Sequence, residues 1–174
     1  MTIIGVICVI LILLIGGYYI HVLSKLGKLN DSARNTAGEL DTLLWDRNHL
    51  LDQIIQRSEE NGVTVPDEHK EKIVLSLGMP PIMQMDVYTK LNRRGIAVYE
   101  LLKDETELIG SEEMKKLMGR YTNLRIDIAD AGKRYNQKAT AFNAYLTNPV
   151  AGFIARRKNM HEKGHFNIAL AEVA

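Results

Sequence analysis

The stretch TIIGVICVILILLIGGYYIHVL, residues 2–23, decides how the rest of the chain is arranged. From Ile3 to Ile20 it carries no charged residue and consists almost entirely of Ile, Leu, Val and Gly. A helix of this run is roughly 27 Å long at about 1.5 Å per residue, close to the ~30 Å hydrocarbon thickness of a bilayer. The sequence therefore predicts a single N-terminal transmembrane helix that anchors the protein in membrane lipid.

A cleaved signal peptide is the main alternative for this stretch. Such a peptide carries a basic region, a shorter apolar core and then a cleavage site of small residues. Here only Met1 and Thr2 precede the apolar run, and Gly16-Gly17-Tyr18 is a poor cleavage site. We therefore expect the anchor to be retained.

The basic residues Lys25, Lys28 and Arg34 follow the apolar run, whereas none precedes it. Because basic residues concentrate on the cytoplasmic side of single-pass proteins, we expect the N-terminus outside and the remainder in the cytoplasm. The single cysteine, Cys8, lies inside the run, so the sequence offers no disulfide framework.

The remainder of the chain has the pattern of an all-α domain, because its apolar residues recur at intervals of three and four. A net charge of +1 with acids and bases intermixed gives no nucleic-acid footprint. About 150 residues suffice for one domain, and we expect a helical bundle. The predicted helices cover residues 28–60, 66–77, 82–109 and 112–147, the last with Ser111 as its N-cap.

One cation interrupts the apolar stripe of the first soluble helix. Arg47 occupies the step between Leu44 and Leu51 at which an apolar residue would be expected. A charge on a packing seam needs a partner, and Asp127 or Asp130 of the last helix are the expected ones. The alternative is that Arg47 extends along its aliphatic stem to solvent.

Two sets of residues resemble the motifs of the LemA family of bacterial membrane-anchored helical proteins. They are Leu40, Asp41, Leu44, Arg47, Leu50, Leu51 and Ile54 in the first soluble helix, and Tyr121, Leu124, Tyr135, Asn136, Phe142 and Asn143 in the last. Ala151-Gly152-Phe153 is similar to the Ala-Gly-aromatic turn that follows these motifs in the family. The chain departs from the pattern at Trp45-Asp46, where the family has a basic pair, and at Asp52, where it has proline.

The resemblance implies an antiparallel four-helix bundle on a single N-terminal span of the bacterial cell membrane, with the bundle in the cytoplasm. It implies no established catalytic activity. We expect an anchor and juxtamembrane turn over residues 1–27, the bundle over 28–148 and a C-terminal segment of basic and apolar residues over 149–174.

The function that we expect is that of a non-catalytic scaffold or protein-interaction module, without a cofactor. Its expected partners are membrane lipid and unidentified membrane or cytoplasmic proteins, and its oligomeric state stays open. The alternative is an oligomerising coiled-coil component of the envelope, of the spanin or division type. A closed monomeric bundle favours the first interpretation, and one long uninterrupted heptad repeat favours the second.

One motif raises a third possibility, a zinc metallopeptidase. The segment His161-Glu162-Lys163-Gly164-His165 satisfies H-E-x-x-H, which on a helix places two imidazoles on one face to share a zinc ion. Gly164 weakens a helix at this point, and we expect a solvated tail instead.

The C-terminal segment has the composition of a membrane-surface contact. Apolar residues stand next to a basic cluster there, which is how an interfacial segment binds an anionic leaflet. The candidate residues are Phe153, Ile154, Arg156, Arg157 and Lys158. A disordered tail is the alternative.

Overall fold

The computed structural model describes residues 2–71 and 73–167, and every regular element within them is a helix. The helices are α1 (Thr2–Glu60), α2 (Asp67–Lys70), α3 (Pro81–Leu102), α4 (Thr106–Gly110), α5 (Glu112–Leu146) and α6 (Pro149–Arg157). The predicted all-α class is confirmed. The described chain divides into two compact units, the first made of residues 2–35 and 137–163 and the second of residues 36–136 and 164–167.

The first part of α1 is the apolar run. Its side chains are exposed from residue 3 to residue 20, with Ile3 at 75% and Ile20 at 66% of full exposure. In the described part of the chain α1 is the one helix long and apolar enough, by length and composition, to cross a membrane. The core helix of a soluble domain would bury such a run, whereas no part of this apolar run is buried.

The first unit packs α1, α5 and α6 around a small apolar core. Its buried members are Val22, Leu26, Phe142, Ala151, Ile154 and Ala155. Gly152 permits a close approach between α6 and the end of α5, since a Cβ there would lie 2.9 Å from the Leu146 carbonyl oxygen. The core therefore begins immediately after the exposed apolar run ends.

Helix α6 was not among the predicted helices. Its start is fixed by Asn148, whose side-chain oxygen accepts hydrogen bonds from the backbone N–H groups of Val150 (3.0 Å) and Ala151 (3.1 Å). Pro149 takes the first helical position, where its missing N–H costs nothing. Ala151-Gly152-Phe153 lie inside this helix, so the interpretation of these residues as a turn is wrong.

The second unit packs α1, α3 and α5 together. Side-chain pairs show that α3 runs parallel to α1 and that α5 runs antiparallel to it. The pairs are Asp41–Gln84, Arg47–Asn92 and Asp52–Arg94 for α1 with α3, and Glu39–Arg134 and Arg57–Glu113 for α1 with α5. Three helices pack here, so the predicted antiparallel four-helix bundle is not confirmed.

The connection between α1 and α3 is mostly non-helical, and the predicted helix over residues 66–77 is wrong. Among the residues of this range that the structure describes, 66–71 and 73–77, only Asp67–Lys70 is helical. Because α3 is parallel to α1, the chain must return along roughly 28 Å, the length of α1 between Asp41 and Glu60 at about 1.5 Å per residue. Extended backbone covers this length in far fewer residues than a helix does.

Asp41 fixes the end of this connection. Its carboxylate is 3% exposed and accepts hydrogen bonds from the Gly78 backbone N–H and from Gln84 Nε2, both at 2.7 Å. Gly78 has a φ of +78°, a conformation that glycine adopts without strain. A buried carboxylate therefore holds both the turn before α3 and the first turns of that helix.

The helix predicted over residues 82–109 is divided in two. Helix α3 ends at Leu102, and α4 begins at Thr106. Lys103, Asp104 and Glu105 between them are exposed, so no buried side chain holds a continuous helix there. The start of α5 agrees with the prediction, since Ser111 Oγ accepts a hydrogen bond from the Met114 backbone N–H at 3.3 Å.

The segment after α6 is exposed at residues 161, 162, 164 and 165, as expected of a solvated tail, but Lys163 and Phe166 are bound to α5, so that expectation is wrong for these two residues. In the first unit, Asn143 donates to the Lys163 carbonyl and accepts from its N–H, both at 2.9 Å. In the second unit, Asn136 does the same for Phe166, at 2.8 and 2.7 Å. Residues 168–174 of the predicted C-terminal segment lie outside the described residues.

The Phe166 ring is buried in the second unit, 2% exposed and edge-on to Tyr88. It lies against Gly132 of α5, where a Cβ would come within 2.6 Å of the ring. Tyr135 adds a hydrogen bond from its hydroxyl to the Gly164 carbonyl at 3.0 Å. An aromatic anchor and paired backbone bonds thus hold residues 164–166 on α5.

Replacing Asn136 with Ala is expected to release residues 164–166, because both backbone hydrogen bonds of Phe166 are lost. We expect a loss of about 2 kcal/mol in the free energy of unfolding, at about 1 kcal/mol for each bond. Hydrogen exchange of the Phe166 amide should become much faster. Asn123, exposed on the same helix, is the matched control, and its replacement by Ala should change neither quantity. Unchanged exchange at Phe166 in the Asn136 variant would contradict this account.

Candidate functional site

A cavity of about 480 Å³ opens among α1, α3 and α5 in the second unit. Aliphatic side chains form much of its wall, among them Leu51, Ile54, Val98, Leu102 and Met118. Ile96 and Tyr99, which also line it, are 59% and 54% exposed. The cavity is therefore apolar and accessible from solvent, which is typical of sites for small molecules.

Arg47 is the buried cation of this cavity. Its side chain lines the cavity and is only 2% exposed. Its Nη2 donates to Asn92 Oδ1 at 3.2 Å, and its Cζ lies 4.6 Å from the Tyr121 ring centre and 5.2 Å from that of Tyr88. Two aromatic rings and one amide therefore surround the guanidinium.

The two other guanidinium nitrogens of Arg47, Nε and Nη1, are buried and have no hydrogen-bond acceptor in the described chain. No carboxylate of that chain forms an ion pair with Arg47 either. Burying a cation without a counter-charge costs several kcal/mol, and aromatic faces recover only part of this. The described chain thus places no counter-charge beside the Arg47 guanidinium.

Both sequence-based expectations for Arg47 are wrong. Asp127 and Asp130 are exposed, and Asp130 pairs with Lys133 at 3.4 Å. The face of α5 that packs inward carries Leu124 and Ile128 instead. Arg47 does not reach solvent along its stem, since its side chain is buried.

Tyr121 is held at the cavity by a hydrogen bond from its hydroxyl to the Leu91 carbonyl oxygen at 2.9 Å. Gly95, one turn after Leu91, makes room for it, because a Cβ at position 95 would overlap the hydroxyl. Burial raises the pKa of the Tyr121 hydroxyl, and the Arg47 cation opposes this rise. The phenol therefore stays neutral across the physiological range and acts as a donor and an aromatic face.

The two sets of family-like residues meet at this cavity through Arg47 and Tyr121. The remaining apolar ones are buried: Leu40, Leu44, Leu50, Leu51, Ile54, Leu124, Tyr135 and Phe142. The polar ones hold irregular chain segments, with Asp41 at the connection before α3 and Asn136 and Asn143 at the segment after α6. Asp52, at the position of the family's proline, pairs with the buried Arg94 at 2.8 Å.

Sequence reasoning missed several residues of the cavity, namely Asn92, Gly95, Tyr99 and Arg125. One signal was available: a glycine in the middle of a helix often marks a close approach of another side chain. The other three belong to no motif, so only the packing of α3 against α5 brings them to Arg47.

The H-E-x-x-H segment lies outside any helix. Residues 161–165 have no regular secondary structure, so the two imidazoles are not presented on successive turns of one helical face. Within the described chain no group of three His, Cys, Asp or Glu side chains is placed to hold a metal ion. The Lys163 amine of this segment lies 4.7 Å from the Phe142 ring centre, and burial lowers its pKa.

The predicted membrane-surface residues occupy α6 and the residue after it. Phe153 is 50% exposed, and its ring lies 5.1 Å from the Arg157 guanidinium. Arg156, Arg157 and Lys158 are exposed, whereas Ile154 is only 1% exposed and belongs to the core of the first unit. Asn148, at the start of α6, donates to the Tyr18 hydroxyl at 3.4 Å, so α6 begins beside the end of the apolar run.

Comparisons with protein-family models, with curated proteins and with solved structures find no match to this chain. The resemblance to the LemA family therefore rests on the motifs alone.

Replacing Arg47 with Met is expected to stabilise the ligand-free protein, because it removes a buried charge that has no counter-charge and keeps the side-chain length. We expect a gain of about 1–2 kcal/mol in the free energy of unfolding. The matched control is Arg134→Met, which removes an exposed arginine paired with Glu39 and should change stability by less than about 1 kcal/mol. A loss of about 3 kcal/mol for Arg47→Met would instead indicate a carboxylate partner.

Proposed function

We propose that this chain is a membrane-anchored, LemA-like helical bundle that acts as a non-catalytic scaffold or protein-interaction module. It would work at the cytoplasmic face of a bacterial membrane. One observation carries the proposal: the apolar seam of α1 is covered within the chain itself. Leu40 and Leu44 are fully buried, and Ile54 is 3% exposed.

The burial of this seam separates the two candidate functions. A spanin- or division-type coiled coil would keep its seam for a second chain and would expose these side chains in a single copy. Here α3 and α5 of the same chain cover them. The observation favours a self-contained bundle whose outer surface is left for partners, over assembly through a shared seam.

The anchor and its orientation complete the proposal. The exposed run of α1 supplies the contact with lipid, and Lys25 and Lys28 after it favour a cytoplasmic bundle. The antiparallel four-helix arrangement belongs to the proposal only through the resemblance, since three helices pack in the second unit. The expected partners remain membrane or cytoplasmic proteins.

Sedimentation of the full chain in a mild detergent distinguishes the two functions. A scaffold with a closed seam is expected to sediment as one copy per micelle over a wide range of protein concentration. A dimer that dissociates on dilution would contradict the proposal and favour the coiled-coil alternative. The variant Leu44→Asp is the internal check, because a charge on the buried seam should unfold a monomeric bundle and not merely dissociate it.

We further propose that α6 rests on the membrane surface through Phe153 and the neighbouring basic residues. Each basic residue near an anionic leaflet adds about 1 kcal/mol, which gives a weak second contact beside the anchor. Ile154 takes no part, because it is buried.

Spin labels on single cysteines, in a background with Cys8 replaced by Ser, test this contact. A label at position 153 is expected to be protected from an aqueous quencher in vesicles that contain anionic lipid, and less so in zwitterionic ones. A label at position 130, exposed on α5, is the control and should be fully accessible. An impermeant thiol reagent should reach position 130 in inverted vesicles and not in intact cells. Equal quenching at both positions would refute the contact, and labelling in intact cells would refute the orientation.

A further inference from the structure

We infer that the cavity around Arg47 binds a single-chain anionic amphiphile, an aliphatic chain that ends in a carboxylate, as a fatty acid does. The inference rests on the cavity alone and does not depend on the scaffold role. Two properties of the cavity wall support this inference: it contains cations without a carboxylate, and it is largely apolar.

The charged side chains in the cavity wall are both cations, Arg47 and Arg125, and no carboxylate lines it. Arg47 is only 2% exposed. Two of its guanidinium nitrogens have no hydrogen-bond acceptor in the described chain. A carboxylate in the cavity supplies the negative charge that the described chain does not place beside this guanidinium. A neutral ligand would leave the buried charge uncompensated.

The apolar wall specifies the rest of the ligand. Ile96 and Tyr99 line the cavity and are 59% and 54% exposed. An aliphatic chain placed against them removes apolar surface from water on both sides, which is favourable. The volume of about 480 Å³ lies within the range of roughly 300–1,000 Å³ of small-molecule sites.

A second depression, of about 780 Å³ beside α2 and α3, does not have these properties. Its wall mixes the acids Glu68, Glu71 and Asp86 with the bases Lys90 and Arg93, so it selects no charge. Of these two cavities in the described chain, the one around Arg47 combines a buried, unpaired cation with an aliphatic wall. A single buried cation matches a head group of one negative charge.

The test uses the full chain in nanodiscs of zwitterionic lipid and a palmitate that carries a photoreactive diazirine in its chain. Crosslinked peptides are mapped by mass spectrometry. We expect labelling of residues 92–102 or 118–125, which border the cavity, in addition to the apolar run of α1, which any probe in the bilayer reaches. Unlabelled palmitate should compete for the cavity at least about tenfold better than hexadecanol, which lacks the charge. Equal competition by the two would overturn the inference.

Two variants with matched controls locate the site. Arg47→Met should lower cavity labelling by about tenfold or more and leave labelling of the apolar run unchanged, whereas Arg134→Met should have no effect. Gly119→Trp should fill the cavity, because Gly119 lines it and a Cβ there meets no atom within 4 Å. Gly38→Trp is its control, with equally free space at a helical position outside the cavity wall.

Several outcomes would overturn the inference. Cavity labelling that is unchanged in both Arg47→Met and Gly119→Trp would show that the probe does not occupy this site. Stronger competition by an apolar peptide with a free C-terminal carboxylate than by palmitate would assign the site to a protein partner. Stronger competition by hexadecyl phosphate would assign it to a phosphate head group.

Discussion

Burial of the apolar stripe on α1 is the interaction on which the rest of the structure depends. The helix is continuous from Thr2 to Glu60, yet its first part exposes apolar residues all round and its later part buries one stripe. The exposed part is long and apolar enough to cross a membrane, and the stripe packs against other helices of the chain. Leu40, Leu44 and Leu51 therefore determine where α3 and α5 must lie.

The parallel direction of α3 imposes a second constraint. Parallel neighbours need a long return connection, and an extended connection cannot satisfy its backbone groups internally. Asp41 and Gln84 meet this need where the connection ends: Asp41 accepts from Gly78, and Gln84 donates both to Asp41 and to the Ala37 carbonyl. Nearer the start of the connection, Arg94 donates hydrogen bonds to the Asp52 carboxylate and to the His69 carbonyl. Buried polar residues thus compensate for a topology that the apolar pattern alone would not stabilise.

These constraints explain what the sequence could predict. Periodicity identified the apolar run and the course of α1 and α5, because their signals lie within the helices themselves. The length of α2 and the partner of Arg47 depend on the direction of α3, which no local pattern encodes. The motif resemblance includes Asn136 and Asn143 but does not reveal their role, which is to bind backbone 20 to 30 positions away along the chain. The start of α6, by contrast, is encoded locally in Asn148-Pro149.

Arg47 is a buried cation without a carboxylate partner in the described chain, and we expect it to lower stability. The periodicity of α1 predicts an apolar side chain at position 47, and Leu or Met would complete the stripe between Leu44 and Leu51. An arginine there loses its hydration, gains one hydrogen bond to Asn92 and two aromatic faces, and finds no carboxylate in the described chain. Packing therefore gives no reason for a charge at this position. An anion that enters the cavity supplies one, since the cost of burying the cation in the free protein becomes affinity for the ligand.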